Sequence, residues 1–320
     1  MHSFTQLVSL FEERIHKLPI PQAPHALYEP FTYFLKLGGK RVRPVLCVMA
    51  NELFGEIHED AWHAAMAVEL FHNFTLVHDD IMDKAPLRRG MQTIHERNGL
   101  TAGILCGDVI NIYAYDQLAQ VKEHLPQVLP LFNRTAIQVC EGQQLDMDFE
   151  TREDVSIEEY IQMITYKTSV LLACSLKMGA LLGGSTEGNA DKLYEFGKNL
   201  GIAFQLQDDY LDAFGETEKL GKQNGGDIKA NKKTYLLLKA MEQANTLQHT
   251  AIQALMKRAD ESKVAAMLSL YQNTGADVAC REAVQHYSQL AFDCLEEAAV
   301  TNTRKEPLRQ LASYLLQRDK

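Results

Sequence analysis

The sequence has no Cys-x-x-Cys pair, no excess of basic residues and only one tryptophan. Its six cysteines are scattered along the chain, which argues against a zinc site or a disulfide framework and favours reduced thiols in a cytoplasmic protein. The 32 Lys and Arg residues against 42 Asp and Glu residues give a formal net charge of −10. Nucleic acid is therefore not expected as the main partner, because binding to a phosphate backbone normally needs a basic excess.

Long apolar runs and a signal peptide are also missing. The longest apolar stretch, residues 171–184, covers 14 residues and contains Lys177, whereas a helix that spans a bilayer needs about 20 apolar residues. Charged residues at positions 12–14 interrupt the N-terminal segment where a signal peptide needs an apolar core. We expect a soluble protein with no stable membrane insertion.

Proline is absent between residues 131 and 306, and no convincing run alternates between apolar and polar residues. The first absence favours long helices, and the second leaves little room for β-sheet. Near the N-terminus, apolar residues repeat with the spacing of one buried helix face. No low-complexity linker divides the chain. We therefore expect one all-α domain over residues 1–320, a single large bundle of roughly ten to twelve helices.

The motif Asp-Asp-x-x-Asp occurs twice, at residues 79–83 and 208–212, each time at the end of a long helical pattern. Residues four apart lie one turn apart on a helix, so Asp79 and Asp83 share one face, as do Asp208 and Asp212. Such close carboxylates repel each other, and Mg²⁺ neutralises them while keeping positions for water and phosphate oxygens. Two faces of this kind, opposed across a bundle, predict Mg²⁺ ions with a diphosphate between them. A single copy of the motif is equally consistent with a solvated acidic helix end.

Two basic clusters accompany the first acidic motif. Residues 38–44 read Gly-Gly-Lys-Arg-Val-Arg-Pro, and residues 87–90 read Leu-Arg-Arg-Gly. Arginine binds a diphosphate through paired hydrogen bonds, and lysine supplies a compact charge. Arginine pairs are usually surface residues, but two clusters beside an acidic motif in an acidic protein favour a diphosphate site. His72 lies two helical turns before Asp79 on the same face, although a histidine on an apolar helix is more often a core residue.

The combination of these motifs resembles the trans-isoprenyl diphosphate synthases of the polyprenyl synthetase family. The matching segments are GGKRVRP, DDIMD, LRRG, the Lys167-Thr168 pair, FQLQDDYLD and the lysine-rich loop at residues 225–234, in the family's order from about residue 30 to 235. The resemblance implies an isoprenoid-synthase bundle around a central cavity, and a cytoplasmic homodimer. It also implies Mg²⁺-dependent head-to-tail condensation of isopentenyl diphosphate with dimethylallyl, geranyl or farnesyl diphosphate.

The resemblance further implies a role for individual residues. The residues that bind the allylic diphosphate would be Arg88, Lys167, Lys222 and Lys232, with three Mg²⁺ ions held by Asp79, Asp83, Asp208 and Asp212. A metal-free pocket for isopentenyl diphosphate would contain Lys40, Arg43, His72 and Arg89. Thr168 and Gln205 would line the cationic centre with oxygen dipoles, and Gln143 and Asp146 would support the site. The residues closest to catalysis would thus be Arg88, Lys167, Thr168 and Gln205.

Product length is expected to depend on side chains one or two turns before the first acidic motif. Helical geometry places Thr75 and Phe71 on the cavity face, and by family analogy the aromatic residue five positions before the motif, Phe74, acts as a floor. One helical turn is about 5.4 Å, roughly one five-carbon unit, so a floor here predicts a product of about C15 to C20.

Other functions stay open at this point. A medium- or long-chain polyprenyl diphosphate synthase would share the reaction but have a deeper cavity. A terpene cyclase would share the first acidic motif, although its second metal motif differs from Asp208-Asp209-x-x-Asp212 and its cavity needs more aromatic residues. A regulatory subunit of a heteromeric synthase would generally have lost one of the two acidic motifs.

Overall fold

The computed structural model describes residues 1–215, 225–260 and 262–317. The expected all-α architecture is confirmed, because the described residues form sixteen α-helical segments and one two-stranded hairpin. The number of segments exceeds the ten to twelve expected, since short helices such as Ile94–Asn98 and Gly226–Ala230 have only five residues each. No helix within the described ranges is both long enough and apolar enough to cross a bilayer.

The elements of the first third of the chain carry the first acidic motif. In chain order they are α1 (Phe4–Ile15), α2 (His25–Lys36), α3 (Val42–Glu52), α4 (Glu59–Met82), β1 (Leu87–Arg88), β2 (Met91–Gln92), α5 (Ile94–Asn98) and α6 (Leu100–Leu118). The elements that follow are α7 (Leu125–Thr151), α8 (Ile157–Ile164), a π-helical turn (Thr165–Ser169), α9 (Val170–Leu182) and α10 (Glu187–Phe214). The remaining helices are α11 (Gly226–Ala230), α12 (Tyr235–Gln243), α13 (Thr246–Met256), α14 (Ser262–Thr274), α15 (Ala276–Glu297) and α16 (Asn302–Leu316).

Contacts divide the chain into two compact units, so the single domain expected over residues 1–320 stays a prediction. The first unit contains residues 1–132, 175–191 and 300–308, and the second contains residues 133–174, 192–299 and 309 onward. The first unit has α4 at its centre, packed against α3 and α6. Most of α4 is buried, and its C-terminal turn carries the first acidic motif from this core towards the surface, with Asp80 buried, Asp79 partly exposed and Asp83 exposed.

The second unit has its own hydrophobic core. Side chains from α8, α10, α12, α13, α14 and α15 pack there, with Tyr160, Leu206, Leu236, Ile252 and Cys280 almost fully buried. Helix α8 begins at a capping box in which Ser156 and Glu159 satisfy each other's backbone amides. This helix leads directly into the π-helical turn. The second acidic motif lies on the last turns of α10 in the same unit.

Candidate active site

The first acidic motif lies where α4 ends, and it holds an arginine in place. Asp79 is on the last turn, Asp83 follows the helix, and Asp80 between them is only 2% exposed. The Nε of Arg88 donates to both carboxylate oxygens of Asp80 at 2.9 Å, and its Nη2 lies 2.8 Å from Oδ1. This charge-assisted contact fixes the Arg88 guanidinium on the second aspartate of the motif.

Arg88 and Arg89 lie on a tight β-hairpin. Arg89 and Gly90 both have positive φ angles, 53° and 77°, which is the backbone of the two-residue hairpin turn that fits the twist of paired strands. The Arg89 guanidinium lies against Gly39, where a Cβ atom would be 3.1 Å from Nη2. Glycine at position 39 therefore lets the two basic clusters approach each other.

The two arginines of the segment at residues 38–44 have different partners in the structure. Arg41 is 3% exposed; its Nε donates to Oε1 of Glu12 and its Nη1 to Oε1 of Glu69, both at 2.6 Å. Burial lowers the pKa of Arg41, but Glu69 and Glu12 together hold it above its usual value. Arg41 is thus a structural ion-pair residue. Lys40, by contrast, is exposed to solvent.

Arg43 contacts His72, another residue of the pocket expected for isopentenyl diphosphate. Its Nη1 lies 3.2 Å from Nε2 of His72. Burial lowers the pKa of His72 well below its usual value, and Arg43, Arg89 and Arg88 lower it further. The ring is therefore neutral, and because arginine only donates, Nε2 of His72 accepts. A neutral partner does not offset the charge of Arg43, which is opposed at longer range by Glu69.

Two further features make Arg43 and Arg89 suitable for an anionic ligand. The Nε of Arg43 is buried and has no hydrogen-bond partner within the described residues, a condition that native structures rarely tolerate without a ligand or water. Neither arginine forms a salt bridge with a carboxylate in the described part of the chain. A phosphate group would satisfy both.

The three residues expected to limit product length lie in different environments. Phe71 is 2% exposed, and its ring packs on Phe74 and Phe132 with centroid distances of 5.5 and 5.3 Å. Phe74 is partly exposed and also packs on His78 at 4.8 Å. Thr75 is partly exposed, and its hydroxyl donates to the carbonyl of His72. Phe74 is therefore more accessible than Phe71, whose buried ring packs against it.

In the second unit, Lys167 and Thr168 lie on the π-helical turn that joins α8 to α9. Gly142 of α7 contacts this turn so closely that a Cβ atom would lie 2.3 Å from the backbone nitrogen of Lys167. Gly201 of α10 contacts the same turn, at Ser169. The Nζ of Lys167 lies 2.5 Å from Oδ2 of Asp146. Single π turns often occur at functional sites.

Thr168 begins a chain of hydrogen bonds that ends in the core. Its hydroxyl donates to Oε1 of Gln205 at 3.2 Å, and Nε2 of Gln205 donates to Oδ1 of Asp209 at 3.1 Å. The Tyr160 hydroxyl donates to the other carboxylate oxygen of Asp209. Burial raises the pKa of Asp209 to about 7, although the hydrogen bond from Tyr160 opposes the shift.

The second acidic motif concentrates negative charge around α11. Asp212 accepts a hydrogen bond from the backbone N–H of Asp227 at 2.9 Å, so it caps the N-terminus of that helix. Burial raises the pKa of Asp227; Asp212, Asp146 and Asp208 raise it further, and Lys232 opposes them. This mutual repulsion of carboxylates fits a site for divalent cations.

No group of three or more His, Cys, Asp or Glu side chains in the described ranges is arranged to hold a metal ion unaided. Mg²⁺ commonly binds through one or two carboxylates, water and substrate phosphate oxygens. Asp79 and Asp83 in the first unit and Asp208 and Asp212 in the second are donors of the right kind. Their assignment as ligands stays a prediction.

The contacts give each unit its own cluster. The first unit brings Arg43, His72, Arg88 and Arg89 near the first acidic motif, and the second brings Lys167, Thr168, Gln205 and Lys232 near the second. Lys222 lies outside the described residues. Gln143 is partly exposed on α7, one residue after Gly142.

The sequence analysis gave no role to the second aspartate of either motif, nor to Tyr160 or Asp227. The two consecutive aspartates in each motif could have indicated such a role, because Asp80 and Asp209 are both buried next to a more exposed aspartate. Tyr160 gave no local signal, because it reads as one more apolar position of α8.

An all-α fold with acidic helix ends beside fixed arginines and lysines defines the class of helical prenyltransferases. A family model for polyprenyl synthetase matches residues 24–273. The chain therefore belongs to the polyprenyl synthetase family, and the resemblance noted from its motifs is confirmed.

Individual relatives agree with this assignment. The chain is 37% identical to the geranylgeranyl pyrophosphate synthase of Geoglobus acetivorans, over 97% of this chain and 96% of the relative. It is 43% identical to the geranylgeranyl diphosphate synthase of Methanosarcina mazei, over 70% of each chain. A crystal structure of a geranylgeranyl pyrophosphate synthase superimposes with a TM-score of 0.94 at 42% identity, with both chains fully covered.

Proposed function

We propose that this protein is a Mg²⁺-dependent short-chain trans-prenyl diphosphate synthase. It joins isopentenyl diphosphate to dimethylallyl, geranyl or farnesyl diphosphate, releases diphosphate and gives a C15 to C20 product. The observation that carries the proposal is that each unit holds an acidic motif together with a cation fixed by a carboxylate. Asp80 of the first motif fixes Arg88 in one unit, and Asp146 on α7 fixes Lys167 in the other. The names of the relatives favour C20 within this range.

The reaction begins when the C1–O bond of the allylic diphosphate breaks, leaving an allylic cation and a diphosphate anion. The residues proposed to bind that anion are Arg88, Lys167, Lys222 and Lys232. Asp79, Asp83, Asp208 and Asp212 would hold Mg²⁺, three ions with the allylic diphosphate bound. When bound, the metal would neutralise the negative charge that develops on the departing diphosphate. Asp80 and Asp146 keep Arg88 and Lys167 in place, so little reorganisation is needed when the bond breaks.

The second substrate, isopentenyl diphosphate, would bind at Lys40, Arg43, His72 and Arg89. A neutral His72 accepts from Arg43 and so orients its guanidinium without cancelling its charge. The double bond of isopentenyl diphosphate then attacks the allylic cation, which forms a bond between C1 of the cation and C4 of isopentenyl diphosphate and leaves a tertiary cation at C3. Loss of a proton from C2 of the isopentenyl unit then gives the new C2=C3 double bond. The departed diphosphate accepts this proton, so the reaction needs no side-chain base.

The cation itself would be stabilised by oxygen dipoles from Thr168 and Gln205. The hydroxyl of Thr168 is fixed by donating to Oε1 of Gln205, which leaves its own lone pairs for the cation. Fixed dipoles in a site that excludes water stabilise developing charge more than mobile solvent does.

Incorporation of labelled isopentenyl diphosphate into allylic product tests this function. The wild type should elongate geranyl diphosphate with Mg²⁺ but not with a chelator. Asp79→Asn and Asp208→Asn should each lose at least about a hundredfold in kcat, as expected when charge stabilisation is removed. Asp116→Asn, an exposed aspartate on α6, is the control and should keep wild-type activity. A folded wild type that elongates no primer would refute the proposal in favour of a cyclase or a regulatory subunit.

For the product length, we propose Phe74 as the floor, because it is partly exposed where Phe71 is buried behind it. Phe74→Ala should lengthen the product by about one five-carbon unit, one helical turn of depth. Phe71→Ala should lengthen it less and destabilise the fold, since a buried Phe→Ala change costs about 3–5 kcal/mol. An unchanged product from Phe74→Ala would contradict this assignment.

We also propose a cytoplasmic homodimer. All six cysteines are free, as in a reducing compartment. Helix α6 exposes Leu100, Ile104, Leu105 and Ile112 to between 43% and 64%, and a monomer rarely exposes so apolar a helix face. Ile112→Glu should therefore halve the mass measured by light scattering. Leu247→Glu, at an 83% exposed position on α13, should leave it unchanged.

A further inference from the structure

Four side chains of the second unit form one continuous hydrogen-bonded chain. It runs from Tyr160 on α8 through Asp209 and Gln205 on α10 to Thr168 on the π-helical turn. Tyr160 is 1% exposed and Asp209 is 5% exposed. Tyr160 lies in the hydrophobic core of this unit, where its hydroxyl would be costly without a partner.

The chain determines which way the Gln205 amide faces. A primary amide has an oxygen that only accepts and a nitrogen that only donates. Because Oδ1 of Asp209 accepts a hydrogen bond from the amide nitrogen of Gln205, the amide oxygen of Gln205 faces Thr168. A flipped amide would place its oxygen against the Asp209 carboxylate, and while that group is ionised the two acceptors repel each other.

The orientation of Asp209 in turn depends on Tyr160. The two carboxylate oxygens have different donors, Gln205 on Oδ1 and Tyr160 on Oδ2. Loss of the tyrosine hydroxyl would leave the carboxylate with one of these two donors, free to rotate about its χ2 angle. The amide of Gln205 would then lose the partner that selects its orientation.

We propose that Tyr160 is a positioning residue of the prenyl transfer reaction, which acts through Asp209 to hold the Gln205 amide oxygen on the side of Thr168 and of the allylic cation. The inference rests on the proposed function. It predicts that Tyr160 stabilises the cationic state of the substrate and contributes little to binding of the diphosphate.

Two ligands separate these contributions when binding is measured by calorimetry with Mg²⁺. One is an allylic diphosphate analogue with an ammonium nitrogen at the cationic carbon, and the other is an uncharged, unreactive allylic thiolodiphosphate. Tyr160→Phe should bind the ammonium analogue about tenfold more weakly, the effect of losing one charge-assisted hydrogen bond. It should bind the thiolodiphosphate as the wild type does, and kcat should fall about tenfold with an unchanged KM for the allylic substrate.

Tyr235→Phe is the matched control. Tyr235 is a buried neighbour whose ring centroid lies 6.4 Å from that of Tyr160, and it is outside the hydrogen-bonded chain. This variant should bind both analogues as the wild type does. If Tyr160→Phe weakens both analogues equally, or neither, the positioning role is wrong and Tyr160 is only a core residue.

A second variant keeps the test decisive if Tyr160→Phe does not fold. Asp209→Leu keeps a branched side chain of similar shape but offers no acceptor, so the Gln205 amide loses the partner that selects its orientation. It should show the same selective loss of the ammonium analogue; an unaltered preference for that analogue would refute the inference. If the wild type binds neither analogue and elongates no primer, the failure lies in the proposed function and not in the role of Tyr160.

Discussion

Replacing Gly142 by alanine should damage the active site more than the fold. A Cβ atom at this position would lie 2.3 Å from the backbone nitrogen of Lys167 and 2.8 Å from its Cα atom. Both contacts involve backbone, so no side-chain rotation can relieve them. The π-helical turn must move away from α7 by about 0.7 Å or more before the contact becomes tolerable, because interiors are close-packed.

The displaced residues include Lys167 and Thr168, so we expect two separable effects. Overpacking a core contact typically costs about 1–3 kcal/mol of unfolding free energy. A misplacement on the order of 1 Å at reacting groups costs about a hundredfold in rate. Gly142→Ala should therefore remain folded at 25 °C, with a lower melting temperature and a kcat reduced by about a hundredfold.

Thermal melting and steady-state kinetics on the same preparation check this expectation. Gly188→Ala is the control, since a Cβ atom at Gly188 of α10 meets nothing within 4 Å. Alanine there should leave kcat unchanged and raise stability slightly, as it does in most helices. A folded Gly142→Ala enzyme with wild-type kcat would refute the reasoning that the π-helical turn positions catalytic groups.

Three further predictions concern the first unit. His72→Gln replaces the accepting Nε2 by an amide oxygen that also accepts, but it removes the titrating ring. Because the folded pKa of His72 is depressed, wild-type stability relative to this variant should fall below pH 6.5, by at most about 1.4 kcal/mol per pH unit. Equal stability differences at pH 5 and pH 7.5 in chemical denaturation would contradict this. Asp80→Asn should lower kcat/KM for the allylic diphosphate about tenfold or more by releasing Arg88, with little further loss in the double variant Asp80→Asn, Arg88→Ala. Arg41→Met should cost about 3–5 kcal/mol of unfolding free energy because it removes the ion-pair partner of the buried Glu69 carboxylate. Arg43→Met should instead mainly raise the KM for isopentenyl diphosphate. Equal destabilisation by the two variants in denaturant titrations would contradict a structural role for Arg41 and a binding role for Arg43.

The sequence was sufficient to predict the all-α fold and the faces that carry the acidic residues. Helical spacing determines which residues share a face. The residue numbers alone therefore predict that Asp79 shares a face with Asp83, and Asp208 with Asp212. The presence of two basic segments near the first motif was equally visible. These features are local, and local features are what periodicity and composition report.

Features that depend on tertiary contacts could not be predicted. Arg41 and Arg43 are two residues apart in one basic segment, and only the positions of Glu12 and Glu69 decide that Arg41 is the structural one. The π-helical turn likewise depends on close approach by Gly142 and Gly201 from other helices. The hairpin at Arg89-Gly90 lacks the Asn-Gly sequence that usually marks such a turn.

The most direct test of the central claim is the size of the product. The wild-type protein is incubated with Mg²⁺, ¹⁴C-labelled isopentenyl diphosphate and, in separate reactions, C5, C10 and C15 allylic diphosphates; the dephosphorylated products are then separated by chain length. We predict elongation that stops at C15 or C20. Products of C30 or longer would contradict the short-chain assignment and the role of Phe74, and no elongation with any primer would contradict the proposed reaction itself.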